Sequence, residues 1–461
     1  MTVTLDQRTV GEIVDRAGRP DFDRWSDQVA RCGHCARPVR LRGRVVRRTK
    51  DGARELYSTA GEPDRVLLKR CGNRRAAVCP SCSYEYAGDM WQLLYAGAAG
   101  GRKGVPESVR AHPLVFATLT APGFGAVHGT RSTRSGRCWP SRGRPAVCAH
   151  GRPAWCGRVH GEDDPRLGEP LCVDCYDYPG HVAFNWWAPE LWRRFTITLR
   201  RVLARRLGLT PAGLGRRCRL SFVKVAEFQR RAVVHFHALI RLDGPGDCIT
   251  PPLLPVDAAG LADAVREAAA AVWLTVDLPS GEAVVLRFGE QLDTQPVNGG
   301  EAGELTPDRV AAYVAKYATK SAEDFGLGDR RQTPAALAGH GLSPHVARVV
   351  QTCWALGAHD EYAGLRRWVH MAGFRGHFAS KSRRYSTTLG AIRGERRAYR
   401  QREASERARL LGQPDPYDDT TLIIAQWQFA GLGYLTGGDV ALALSAAARA
   451  RERREAARDA C

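Results

Sequence analysis

The sequence predicts an α+β protein with built-in zinc modules, and three observations carry that reading. Runs of β-branched and aromatic residues, closed by Gly, Pro or Asp turn chemistry, fall at 112–122, 219–228 and 233–244. Amphipathic helices with recognisable starts lie between and after them, at about 188–203, 257–276 and 306–320. Cys-x-x-Cys pairs stand at Cys32/Cys35, Cys79/Cys82 and Cys172/Cys175, which points to zinc rather than disulfides in a cytoplasmic chain.

A length of 461 residues suits two or three domains. The net charge of +20, mostly from arginine, favours a polyanionic partner, and nucleic acid fits best because guanidinium groups pair well with phosphate. The N-terminus does not read as a signal peptide, and no apolar run reaches the ~20 residues that span a bilayer. Leu422 to Leu435, the most apolar stretch, is short and carries Gln426 and Gln428. The expectation is a cytoplasmic protein with no membrane partner.

Residues 1–105 read as an N-terminal zinc-binding region. Cys32, Cys35, Cys79 and Cys82 form two tight turns able to aim four thiolates at one tetrahedral ion, with Cys71 or His34 able to replace one of them. Four protein ligands leave no open position, so the role is structural. Residues 106–330 form the central domain, with an irregular insertion at about 124–180 that also holds Cys138. A second zinc is expected there on Cys172 and Cys175, with Cys148 and Cys156 completing the set and His150 and His160 competing.

The strand 233–244 puts His235 and His237 on one face, with Phe236 on the other. A three-residue hairpin loop would set Phe228 opposite Ala232 and Val225 opposite His235. Glu227 then joins the two imidazoles from a diagonal position, as a three-ligand divalent site. A four-residue loop would turn Glu227 away. Thr306 caps the helix 306–320, with Pro307 at its first position and Asp308 behind it. Tyr313 and Tyr317 share one face of this helix, and Lys316 and Lys320 form a cationic row beside them. A phenol titrates near ~10, and such cations favour its ionised form. Residues 331–461 read as a basic, mostly helical C-terminal region, with Lys381, Arg383 and Arg384 as candidate DNA contacts.

Phe116-Ala-Thr-Leu-Thr-Ala-Pro122, His235-Phe-His237 and Tyr313-Val-Ala-Lys-Tyr-Ala-Thr-Lys320 resemble the three ordered motifs of HUH endonucleases that initiate rolling-circle replication. Lys224-Val-Ala-Glu-Phe-Gln-Arg-Arg, Leu171-Cys-Val-Asp-Cys-Tyr-Asp-Tyr and Gly376-His-Phe-Ala-Ser-Lys-Ser-Arg-Arg-Tyr-Ser resemble actinobacterial plasmid and integrative-element initiators of the RepSA type. The resemblance implies a central antiparallel sheet flanked by helices, with the His pair on a middle strand. It also implies Mg²⁺ or Mn²⁺ at that pair and a nick at a DNA origin. A tyrosine becomes joined to the 5′ phosphate, the freed 3′ hydroxyl primes synthesis, and the displaced strand is later rejoined. Tyr317 is expected to make the initiating cut and Tyr313 the terminating transfer. No Gly-x-x-x-x-Gly-Lys-[Ser/Thr] loop is present, so helicase and polymerase are expected from the host. Two rival readings are a two-tyrosine HUH transposase and a non-catalytic zinc-dependent DNA-binding regulator.

Overall fold

A computed structural model of the chain describes residues 5–49, 52–129, 147–246, 250–297, 305–319, 327, 333–339, 341–413, 415 and 422–459. Cys138 and Lys320 lie outside the described residues. The elements run α1 (Gln7–Ala17), α2 (Phe22–Arg31), β1 (Val39–Thr49), β2 (Gly52–Ser58), β3 (Leu67–Lys69), α3 (Pro80–Ala99), β4 (Leu114–Leu119), α4 (Tyr178–Arg206), α5 (Pro211–Gly215), β5 (Arg219–Phe228) and β6 (Val234–Asp243). They continue with α6 (Ala258–Ala271), β7 (Trp273–Asp277), β8 (Ala283–Arg287), β9 (Leu292–Pro296), α7 (Pro307–Tyr317), α8 (Pro334–Ala338), α9 (Pro344–Leu356), β10 (Ala379–Lys381), α10 (Leu389–Leu410), β11 (Leu422–Leu432) and α11 (Gly437–Asp459).

The chain divides into two compact units, one of residues 1–89 with 388–461 and the other of residues 90–387. These limits differ from the boundaries expected near 105 and 330, because the last segment returns to the first. β11 pairs antiparallel with β1 from Val39↔Leu432 to Arg48↔Leu422, so the apolar run at 422 is a strand in a region expected to be mostly helical. Its β-branched and aromatic content explains this. β2 and β3 pair with the other edge of β1. Gly43 sits at φ +155, where a Cβ would collide with the Gln426 carbonyl oxygen. In the same unit the buried Arg16 guanidinium bridges Asp439 and Asp64 at 2.6 and 2.9 Å, tying α1 to α11.

The second unit is built on a five-stranded sheet in the order β10-β5-β6-β4-β9, antiparallel at every pairing. One face carries Val115, Ala117, Leu119, Ala226, Phe228, Phe236, Ala238 and Ile240, packed into the core with α4 residues such as Phe184, Leu191, Trp192 and Phe195. Each large side chain buried there stabilises the fold by roughly 1.5–3 kcal/mol. The opposite face carries Phe116, Thr118, Glu227, His235 and His237, since alternate residues point to opposite sides.

Two helix limits differ from the sequence reading. α4 begins ten residues before Ala188, because the Asp177 carboxylate accepts from Gly180 N at 2.8 Å, and Pro189 is carried inside the helix. α6 stops at Ala271 instead of running to Val276: Trp273-Leu-Thr-Val-Asp277 alternates in burial and pairs with β8 as a strand.

Candidate functional site

β5 and β6 meet with Glu227 directly opposite His235 and Val225 opposite His237. The expected three-residue loop, with Glu227 diagonal to His235, is therefore corrected: the connection is the five residues 229–233. The change moves the register by two, and a shift of two keeps every side chain on its face. Glu227 consequently stays with the histidines. The Nε2 atoms of His235 and His237 each lie 2.9 Å from the same Glu227 oxygen, Oε2. Glu227 and His237 are buried and His235 is half-buried.

Asn185, in the N-terminal third of α4, explains why the loop has five residues. Its amide nitrogen donates to the Ala232 and Ala372 carbonyls at 3.0 and 2.8 Å, and its oxygen accepts from Val234 N at 2.9 Å. Ala232 is held at φ +60, a conformation that costs an ordinary residue energy and must be enforced from outside. Two buried histidines add to the clamp. His181 donates from Nε2 to the Ala232 carbonyl at 3.0 Å, and His345 donates from Nε2 to the Arg231 carbonyl at 2.9 Å. Their Nδ1 atoms accept from the Tyr176 and Tyr178 hydroxyls, each at 3.2 Å. Both rings are then neutral, and burial pushes the His181 pKa well below its ordinary 6.5.

The neighbouring strand supplies a further contact that the sequence reading missed. Thr118 pairs with His237, and its Oγ1 lies 3.1 Å from His237 Nδ1. With a cation at the cluster, Nδ1–H donates to Thr118, which leaves Nε2 as the ligand atom. Alternation within the 116–122 strand was the available signal. Phe116, on the same face, stacks on His237 at 5.9 Å.

α7 covers this face, held at its start by Thr306, whose hydroxyl accepts from Arg309 N at 3.4 Å. The Tyr317 ring lies nearly parallel to His237 with centroids 4.8 Å apart. Tyr313 meets His237 edge-on at 5.5 Å and Phe116 at 5.7 Å, and the two tyrosines meet at 4.7 Å. Tyr313 is 44% exposed and Tyr317 half-buried. Lys316 is exposed in the last turn.

Two imidazole nitrogens and a carboxylate oxygen fit a divalent ion with room for further ligands, as Mg²⁺ or Mn²⁺ requires. Beyond the site, at the end of β6, Arg241 and Asp243 are fully buried and paired at 2.6 Å, and His112 Nδ1 lies 2.9 Å from the same carboxylate. Burial opposes the charge on Asp243, but the His112 and Arg241 hydrogen bonds hold its pKa down at about 2.

The first cysteine cluster comprises Cys35, Cys71, Cys79 and Cys82. Cys32, expected among the ligands, is a correction: its thiol turns to the Val29 carbonyl at 3.2 Å, and Cys71 takes the fourth place. Cys35 Sγ lies 3.7 Å from both Cys79 Sγ and Cys82 Sγ. A zinc tetrahedron with bonds of about 2.3 Å has edges of about 3.8 Å, so the spacing fits the ion. Backbone N–H groups of Ala36 and Cys71 approach Cys79 and Cys35 sulfur at 3.3 Å, as thiolates require.

The second cluster comprises Cys148, His150, Cys172 and Cys175, with His150 Nδ1 3.1 Å from Cys175 Sγ. Cys156, expected here, is the second correction. The tight turn 148–152, closed by Cys148 N to the Arg152 carbonyl at 2.9 Å, brings His150 to the cluster, and Cys156 falls in a different group with His128 and His160.

Among the candidate DNA contacts, Lys381 is tied to its own loop. Its Nζ donates to the Ser382, Arg383 and Ser386 carbonyls at 3.4, 3.2 and 2.9 Å. Arg383 and Arg384 are exposed. In the first unit, the exposed Arg42 and Arg44 of β1 stand opposite Gln428 and Gln426 of β11, while the exposed Trp427 and Phe429 stand opposite Gly43 and Leu41 and so lie on the other face of the sheet; the sequence reading singled out neither group.

Comparison with known proteins gives the class: a family profile described as RepSA, replication initiator protein, pSAM2, matches residues 21–448. The chain belongs to this family of replication initiators. A replication initiator protein of Streptomyces ambofaciens is 45% identical over 464 residues, covering 99% of this chain and 96% of that protein. No solved structure matches. Among the described residues no helix is long and apolar enough to cross a membrane.

Proposed function

We propose that this replication initiator is an HUH-type endonuclease and strand transferase that opens a replication origin by tyrosine attack. The observation that carries the reading is the convergence of His235 Nε2 and His237 Nε2 on Glu227 Oε2, with the Tyr317 ring stacked on His237. Glu227, His235 and His237 would hold Mg²⁺ or Mn²⁺, which when bound would supply positive charge to polarise the phosphate. Thr118 orients the His237 ring with Nε2 toward Glu227, and the Asn185 clamp keeps His235 in register.

Tyr317 supplies the nucleophile. Its phenolic oxygen bonds to phosphorus as the bond to the 3′ oxygen breaks; the phenol proton passes to solvent and the departing 3′ oxygen takes one up. The phosphodiester energy is kept in the phosphotyrosine, so no nucleotide is consumed. The 3′ hydroxyl then serves as primer for rolling-circle synthesis by host polymerase and helicase. Tyr313, one turn earlier and more exposed, is suited to the second transfer that rejoins the displaced strand. The cysteine clusters hold structural zinc. Arg383, Arg384 and the exposed arginines of β1 contact DNA phosphates.

The experiment is a nicking assay on supercoiled DNA carrying the origin, with and without Mg²⁺ or Mn²⁺. Metal-dependent conversion to the open circle, lost in His235→Ala/His237→Ala, is the expected result. DNA binding without nicking under any divalent ion would leave the regulator reading in its place.

A further inference from the structure

We propose that His128, Cys156 and His160 bind a third zinc ion, separate from both cysteine-rich clusters and from the Glu227 site. Cys156 Sγ lies 3.0 Å and His128 Nδ1 3.1 Å from His160 Nε2, and the three atoms lie within 4.8 Å of one another. Thiolate and imidazole are the donors zinc prefers, and Cys156 and His160 are spaced as ligands within one turn of chain.

The surroundings are built as those of a metal ligand are. His160 is buried, and its Nδ1–H donates to Asp164 Oδ2 at 2.7 Å, which turns the Nε2 lone pair toward Cys156 and His128. Asp164 is itself fixed by Arg166, through the backbone N–H at 2.9 Å, Nε at 3.1 Å and Nη2 at 2.8 Å. His128 is anchored by its backbone: its N–H donates to the Glu169 carbonyl, and its carbonyl accepts from Gly168 N, both at 2.9 Å. Gly168 sits at φ +89, where any Cβ would come within 2.5 Å of the Arg230 carbonyl carbon. The ligands are thus attached to backbone lying against the hairpin loop below the His pair, and Arg230 also donates to the Glu162 carbonyl.

Cys156, His160 and Asp164 alone also match a nucleophile, a base and an orienting carboxylate. His128 decides between the two readings. A nucleophilic triad uses one imidazole on the thiol, whereas a second ring nitrogen converging on the same point is what a shared cation requires. Among the described residues this group offers three protein ligands, where each of the two other clusters offers four.

The test is zinc stoichiometry by elemental analysis. It uses the chain carrying His235→Ala/His237→Ala, so that zinc cannot be counted at that pair. The expected value is three zinc per chain, falling to two in Cys156→Ser/His160→Ala and in the milder His128→Asn. Two zinc in the parent chain, or no loss in His128→Asn, would overturn the proposal. Alkylation mapped by mass spectrometry on the wild-type chain gives an independent answer that does not depend on how a variant folds. Cys156 should resist iodoacetamide until a chelator is added; rapid alkylation with zinc still bound would mean a nucleophilic thiol instead. Neither result depends on whether the protein nicks DNA.

Discussion

Thr118 Oγ1 stands 3.1 Å from His237 Nδ1, on the strand beside the His pair, while His237 Nε2 faces Glu227 at 2.9 Å. Thr118→Val keeps the shape and the β preference but removes the hydroxyl. Mn²⁺ affinity, measured by titration calorimetry, should fall by about 10- to 100-fold while the melting temperature hardly moves. Unchanged affinity would mean that the hydroxyl does not orient the ring.

The Asn185 clamp makes a prediction about stability. Asn185→Leu takes from Val234 N and the Ala372 carbonyl the partner that Asn185 gives them in the core, and leaves the Ala232 carbonyl with His181. Each of the two losses costs about 1–3 kcal/mol, so chemical denaturation should show a loss of at least about 2 kcal/mol. A loss under 1 kcal/mol would show that the loop is held by other contacts.

Cys32 and Cys71 can be separated directly. Cys71→Ser should release one zinc per chain, whereas Cys32→Ser should retain it, because only Cys71 belongs to the four-sulfur cluster. The opposite pattern in elemental analysis would restore Cys32 as the ligand.

Lys224 is 3% exposed on the core face of β5, its Nζ 4.2 Å from the Phe236 ring, and burial lowers its pKa from 10.5 to about 7. The folded chain therefore binds fewer protons than the unfolded one between pH 7 and 10.5, and stability rises with pH across that window. Lys224→Met should stabilise the protein at pH 7 by about 2–4 kcal/mol, the cation–π contact offsetting part of the desolvation. The gain should roughly halve by pH 9, as followed by urea midpoints. A variant less stable than wild type at pH 7 would mean that the lysine's charge is used in the fold.

Much of this site was legible in the chain. Alternation placed His235 and His237 on one face, an odd-numbered hairpin loop was needed to add Glu227, and the Thr306 cap with Pro307 located the tyrosine helix. The loop length was not legible, because it is set by Asn185, His181 and His345, all distant in sequence and on helices. The two displaced ligands have a similar cause. Cys-x-x-Cys spacing marked Cys32, yet its thiol turns back to the Val29 carbonyl; Cys71, with no paired cysteine beside it, stood in the sequence only as an alternative ligand. Spacing likewise could not show that the insertion sends Cys156 and His150 to different clusters. β11 was hidden because a strand whose partner lies almost four hundred residues away in sequence (Val39↔Leu432) leaves no local signal of pairing.

The central claim is that Tyr317, stacked on His237, is the residue that attacks the origin phosphate. Protein incubated with Mg²⁺ or Mn²⁺ and a single-stranded origin oligonucleotide, then digested and read by mass spectrometry, tests it most directly. The expected result is a 5′-phosphotyrosine adduct on Tyr317 that disappears in Tyr317→Phe. Tyr313→Phe should still form it while releasing fewer closed single-stranded circles. An adduct confined to Tyr313, or cleavage with no adduct on either tyrosine, would contradict the account.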